Sequence, residues 1–64
     1  MCLATAYVEN KGQEEEVMRD VAWIETGNDG LRLGAFLGES KLLQARIKRI
    51  DLIHNSIILE MDSE

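Results

Sequence analysis

The sequence predicts an all-β fold: residues 1–64 form one small barrel of five antiparallel strands. Apolar and polar side chains alternate in short runs, which is the period of a β-strand. Gly, Asn and Asp separate these runs and favour tight turns. A closed barrel avoids long exposed strand edges, whereas the competing arrangement is an open five-stranded sheet completed by a second subunit.

The first two strands are predicted from residues 2–9 and 14–25. Small side chains line one face of the first run, which suggests close approach by a neighbour. Asn10-Lys11-Gly12-Gln13 supplies turn residues between the two runs, and Gly12 is free to take a positive φ. A bend or bulge is expected at Arg19-Asp20. The segment 26–30, Thr-Gly-Asn-Asp-Gly, is the strongest turn signal and predicts a closed hairpin.

The third and fourth strands are predicted from residues 31–37 and 41–52, with a turn at 38–40. Gly34 interrupts the third run and predicts a bulge or coil there. The apolar period of the fourth run breaks near its end, and a bulge near Arg49 would restore the register.

The chain closes with a turn at His54-Asn55-Ser56 and a last strand at 57–61. Asp62-Ser63-Glu64 is expected to be a frayed tail.

Length and composition limit the possible functions. A chain of 64 residues has a thin core, and its single cysteine cannot form an internal disulfide, so a bound metal or a partner subunit is expected to add stability. The sequence has no signal for export and no apolar stretch long enough for membrane insertion, which predicts a cytoplasmic protein. A net charge of −5 makes nucleic acid an unfavourable partner.

The segment Arg46-Ile47-Lys48-Arg49 is the one local basic run in the sequence. An RNA-binding module using Arg46, Lys48 and Arg49 is therefore the alternative function. The simpler interpretation, which we prefer, is a solvated strand face whose apolar residues point inward.

No combination of residues predicts an enzyme. Nucleophilic catalysis needs a base positioned by a third group, and His54 is the only imidazole in the chain. The run Glu14-Glu15-Glu16 resembles a cation site, but neighbouring strand residues point to opposite faces, so a solvated turn is the better interpretation.

Cys2 is the residue with the most distinctive chemistry. Initiator methionine is generally removed before a small side chain, and the mature chain would then begin with Cys2. Its α-amine and thiolate could together close a five-membered chelate around a metal, with modest proton displacement at neutral pH. The alternative is that Cys2 is a buried small hydrophobe without a role.

A symmetric dimer would complete such a site by bringing two copies of Cys2 together. Square-planar coordination by nitrogen and sulfur suits Ni(II) or Cu(II), whereas tetrahedral soft donors suit Zn(II). His54 is predicted not to be a ligand, because it lies in a turn and the nitrogens of Cys2 already provide donors.

Five segments spread over nearly the whole chain carry a family resemblance: residues 1–4, 30–33, 36–39, 47–52 and 57–60. Together they resemble the CooT family of small nickel-binding proteins, which are associated with the maturation of carbon monoxide dehydrogenase and have also been described as predicted RNA-binding. The resemblance implies an SH3-like barrel, a homodimer, a metallochaperone function for a client nickel enzyme, and Ni(II) bound through the N-terminal cysteine, here Cys2.

The N-terminus is also similar to that of HypC-type hydrogenase maturation chaperones. Those proteins usually have a proline shortly after the cysteine, and this chain contains no proline. This departure weakens the HypC alternative.

Overall fold

A computed structural model describes residues 3–62 and shows a six-stranded sheet. The strands are β1 (Ala4–Asn10), β2 (Gln13–Gly27), β3 (Gly30–Ala35), β4 (Ser40–Leu43), β5 (Ala45–Asp51) and β6 (Ser56–Met61). The prediction of an all-β fold is confirmed. Cys2 lies outside the described residues, as do Met1 and residues 63–64. No helix within the described range is long and apolar enough to cross a membrane.

The prediction of five strands is wrong, because the run 41–52 forms two strands with different partners. β4 pairs with β3, whereas β5 pairs with β6. Gln44 lies at the break, where its side-chain Nε2 donates to the carbonyl of Asp29 at 2.7 Å and its own carbonyl accepts from the N–H of Asp62 at 2.8 Å. The alternation of apolar and polar residues along 41–52 predicts which face of the sheet each residue occupies. It does not predict that the neighbouring strand changes from β3 to β6.

The sheet is mixed, whereas a wholly antiparallel sheet was predicted. Its strand order is β4-β3-β2-β1-β6-β5, and β1 and β6 run parallel with Thr5 opposite Ser56. The parallel pair arises because the β5–β6 hairpin returns beside β1 in the same direction as β1. β4 and β5 occupy opposite edges but are joined through Gln44, so the sheet curls into a half-barrel.

A bend within β2 allows this strand to serve both halves of the sheet. Residues 13–21 pair with β1, and residues 21–27 pair with β3. Asp20 has a φ of 56° at the point where the partner changes, so the predicted bend at Arg19-Asp20 is confirmed. The register shift between Ile47 and Arg49 likewise confirms the predicted bulge in β5.

Gly34 does not form the predicted bulge; the register shift lies opposite it, between Val21 and Trp23 of β2. Trp23 covers Gly34 so closely that an added Cβ at position 34 would lie 1.9 Å from Cε2 of the indole ring. The glycine is therefore required because an aromatic side chain occupies the space above it.

The core lies inside the curl of the sheet. Ala6, Leu33 and Leu59 have no exposed surface. Ala6 lies between Met18 of β2 and Ile57 of β6, so the predicted small-residue face of β1 does meet close neighbours. The buried core residues come from β1, β2, β3, β5 and β6, and β4 adds the partly buried Leu43.

Candidate functional site

The start of β1 lies between β2 and the turn that joins β5 to β6. Ala4 pairs with Val21 of β2, and the N–H of Thr5 donates to the carbonyl of Asn55 at 2.9 Å. We call this region the N-terminal end of the sheet; it comprises the start of β1, the segment 21–23 of β2 and the turn 52–55. The chain enters the sheet here at Ala4, two residues after Cys2.

The Asp51 carboxylate fixes the turn 52–55. Its Oδ1 accepts from the backbone N–H groups of Ile53 and His54, both at 3.1 Å, and its Oδ2 lies 2.8 Å from Nδ1 of the His54 ring. The hydrogen bond from the His54 ring, followed by that from its backbone N–H, lowers the pKa of Asp51 below its ordinary value. Asn55 completes the turn with a φ of 53°.

Asp51 is a residue that the sequence analysis missed. Its signal was present: an Asp followed within a turn by polar residues commonly accepts hydrogen bonds from the backbone N–H groups two and three positions later. The third bond, to the imidazole ring, depends on the side-chain conformation of His54 and has no comparable sequence signature.

Apolar side chains are exposed at the N-terminal end. Leu52 is 81% exposed and Ile53 is 89% exposed at the tip of the turn. Trp23 is 42% exposed on the face that covers Gly34. Contiguous exposed apolar surface, such as that of the neighbouring residues Leu52 and Ile53, is typical of a surface that binds another macromolecule.

Of Cys2 and His54, the two residues considered as metal ligands, the structure describes only His54. Cys2 lies outside the described residues. The His54 side chain is 76% exposed, and its ring contacts Asp51. Among residues 3–62 of a single chain, no three His, Cys, Asp or Glu residues are grouped so that they could hold a metal ion. A site formed by three such side chains therefore needs a residue outside 3–62 or a second copy of the chain.

The basic residues of β5 are largely neutralised by carboxylates. Arg46 forms ion pairs with Glu60 at 3.1 Å and with Asp62 at 3.0 Å. Lys48 forms an ion pair with Glu9, and the hydrogen bond to that carboxylate raises the pKa of Lys48. Two of the three side chains of the RNA-binding alternative thus already have anionic partners within the protein.

The acidic run Glu14-Glu15-Glu16 lies within β2, whereas a solvated turn was predicted. The turn is confined to Lys11 and Gly12, with φ values of 55° and 82°, so β2 starts already at Gln13. All three glutamates are exposed. Glu16 forms an ion pair with Arg19 at 2.8 Å. The alternation of faces along β2 agrees with the expectation that these carboxylates do not converge on one ion.

Comparison with known proteins gives one family. The family model of the CO dehydrogenase accessory protein CooT matches residues 1–60. The crystal structure of a protein from Carboxydothermus hydrogenoformans assigned as CooT is similar over 97% of this chain and 100% of that chain, with a TM-score of 0.91 and 32% sequence identity. A search of curated proteins finds no match to this chain.

Proposed function

The chain belongs to the CooT family of CO dehydrogenase accessory proteins, and we propose that it is a homodimer that binds Ni(II) and delivers it during maturation of that nickel enzyme. The observation that carries this proposal is the family match, which spans residues 1–60 and therefore includes Cys2. An accessory protein assists an enzyme without performing its reaction, in agreement with the absence of a catalytic constellation from the sequence. The proposed place of action is the cytoplasm.

Cys2 is the proposed metal ligand. The side chains of residues 3–62 do not form a metal cluster within one chain, whereas an N-terminal cysteine offers both a thiolate and an amine. Thiolate and nitrogen donors in a square-planar arrangement suit Ni(II). Because both groups must lose protons to bind the metal, nickel uptake releases protons and weakens as the pH falls.

The second copy of the chain is proposed to cover the N-terminal end. Two copies of Cys2 can share one ion only if this end faces a two-fold axis. Leu52, Ile53 and Trp23 are exposed beside the start of β1, so the same contact would bury their apolar surface. A shared site then couples metal binding to dimer stability, because the metal binds the dimer and not the separate subunits.

A nickel titration of the wild-type protein and Cys2→Ser tests this proposal. Serine preserves the size of the side chain but removes the thiolate, so the thiolate-to-nickel charge-transfer absorption is expected to disappear. Native mass spectrometry of the same samples is expected to show one nickel ion per dimer and removal of Met1. An unchanged charge-transfer band in Cys2→Ser would refute the proposed site, and a monomer that binds nickel fully would refute the shared site.

A further inference from the structure

The curl of the sheet is open at the end where β1 finishes, and we call this region the open end of the half-barrel. A cavity of about 630 Å³ lies there, a volume within the usual range of ligand-binding pockets. Its apolar lining continues the core: Val8 is buried, and Val17 and Leu43 are partly buried against the core cluster. Met61 lies opposite the buried Ala45 and therefore on the same face, yet it is 46% exposed. One end of the core is thus accessible from solvent.

Glu15 places a carboxylate at the mouth of this cavity. It lies directly opposite the buried Val8 in the β1–β2 register, so both side chains are on the inner face of the sheet. Glu14 lies opposite Glu9 and therefore on the outer face, where Glu9 pairs with Lys48. Glu15 is exposed, and within residues 3–62 it has no ion-pair partner. An accessible carboxylate therefore adjoins an apolar floor.

The rim of the cavity carries more carboxylates than cations. The carboxylates are those of Glu9, Glu15, Glu60 and Asp62, and the cations are Lys11 and Arg46. Arg46 is already bound by Glu60 and Asp62. Lys48 neutralises Glu9 from the outer face, and Glu14 on that face adds a further negative charge. The field at the open end therefore favours an occupant that carries a cation.

These charges select among the possible occupants. A nucleic acid would bring its phosphates to an acidic rim, which is unfavourable. A second copy of the chain, placed there by a two-fold axis, would bring two copies of Glu15 together, and like charges at an interface oppose binding. A protein segment with an arginine or lysine beside an aliphatic residue matches both the carboxylate and the apolar floor.

We propose that the open end of the half-barrel is a docking site for a segment of a partner protein in which an arginine or lysine flanks an aliphatic residue. The aliphatic side chain contacts Val17, Leu43 and Met61 in the cavity, and the cation pairs with Glu15 at its mouth. This end of the sheet is opposite the N-terminal end, so it stays accessible in the proposed dimer. The inference does not depend on nickel binding or on dimer formation.

The test uses the full-length protein and two peptide probes of equal length, acetyl-Arg-Leu-Arg-Leu-Arg-amide and acetyl-Glu-Leu-Glu-Leu-Glu-amide. NMR titration of ¹⁵N-labelled protein should show shifts of the backbone amides of Val17, Leu43 and Met61 with the basic peptide only. Glu15→Lys should weaken binding of the basic peptide at least about tenfold, because it replaces an attraction by a repulsion at the contact.

The matched control is Glu14→Lys, which makes the same change of charge at the adjacent residue but on the outer face. It should weaken binding less than about threefold, because solvent and salt screen a charge that is not at the contact. Met61→Ser keeps the charge and should weaken binding about fivefold or more, because apolar surface is no longer buried by the peptide. Circular dichroism of each variant verifies that it is folded.

Several results would overturn the docking site. Equal losses in Glu15→Lys and Glu14→Lys would show that only the net charge of the protein attracts the peptide. Absence of binding by the basic peptide at millimolar concentration, equal binding of the acidic peptide, or shifts confined to the turn 52–55 would each contradict it. Binding of leucine amide as tightly as the basic peptide would replace the protein partner by a small ligand.

Discussion

The two ends of the sheet differ in the side chains that they expose: one end carries ion pairs, and the other carries exposed apolar residues. At the end where β1 finishes, Arg46 and Lys48 pair with the carboxylates of Glu60, Asp62 and Glu9. At the N-terminal end, Leu52 and Ile53 extend into solvent from a turn that Asp51 fixes. The first end pairs these basic side chains internally, whereas the second exposes apolar surface. The difference agrees with the proposed partner at the N-terminal end and with the interpretation of β5 as a solvated strand face.

The largest effect is expected for Leu59→Ala, because Leu59 is fully buried and belongs to the core beneath both ends. Removal of a buried leucine side chain typically costs about 2–5 kcal/mol in the free energy of unfolding. Urea denaturation should show this loss in circular dichroism and in Trp23 fluorescence at the same midpoint. Separate midpoints would show that the two ends unfold independently, and Leu52→Ala is the exposed control.

The next effect concerns self-association. Serine at both Leu52 and Ile53 should weaken the dimer at least about tenfold, since burial of one large aliphatic side chain contributes about 1.5–3 kcal/mol. Sedimentation velocity over a concentration series measures this. The control is Leu37→Ser, which changes a side chain that is 90% exposed in the β3–β4 turn and should leave the dimer intact. Equal weakening by both variants would remove the distinction between the N-terminal end and the rest of the surface.

A smaller loss, in the free energy of unfolding, is expected when Gly34 is replaced by alanine. The added Cβ would overlap the Trp23 ring, and overpacking of this kind costs about 1–3 kcal/mol. The displaced indole should become more exposed, with a red shift in its fluorescence emission. Gly27→Ala is the control, because its nearest neighbour would be Oδ1 of Asp29 at 3.2 Å. An unchanged emission spectrum would mean that Trp23 does not depend on the glycine.

Arg46→Gln tests the end of the sheet where the charges are paired. It should lower the free energy of unfolding by at most about 1 kcal/mol, because exposed ion pairs contribute little to stability. Binding to a single-stranded RNA should be weak in the wild type and unchanged in the variant. A marked loss of RNA affinity in Arg46→Gln, with affinity falling as salt is raised, would restore the RNA-binding alternative.

The smallest effect is a pH dependence at Asp51. Its pKa is lowered in the folded protein, so its ionised form stabilises the fold above the ordinary pKa of 3.8, and this contribution is lost as the pH falls through the lowered value. The stability difference between wild type and Asp51→Asn should therefore be present at pH 7 and shrink on acidification below 3.8. Urea unfolding midpoints of both proteins, measured from pH 7 down to the lowest pH at which they fold, would show this. A stability difference that increases as the pH falls would contradict it.

Local signals in the sequence predicted local structure. The residues of the 26–30 segment predicted the β2–β3 hairpin, which the structure closes by pairing Gly27 with Gly30. The change of partner at Gln44 and the parallel pairing of β1 with β6 could not be predicted in this way, because both depend on residues distant in the sequence.

The same limit applies to the candidate site. Cys2 was identified from the chemistry of its own side chain and its position in the chain. The neighbourhood of the turn 52–55 was not predicted, since it depends on the bond between Thr5 and Asn55 that the parallel pairing creates. The prediction that His54 is not a ligand stays a prediction, because Cys2 lies outside the described residues.

The junction at Gln44 has a consequence for aggregation. β4 and β5 are the two edges of the sheet, where unpaired backbone groups could recruit strands from other molecules. Gln44 alone joins these two edges. Both edges are poor templates for an added strand, because β4 has only four residues and β5 carries Arg46, Lys48 and Arg49. Basic side chains on an edge strand oppose sheet extension. A circular permutant opened at Gln44 would release the two edges from each other and should therefore form β-rich aggregates more readily than the natural chain.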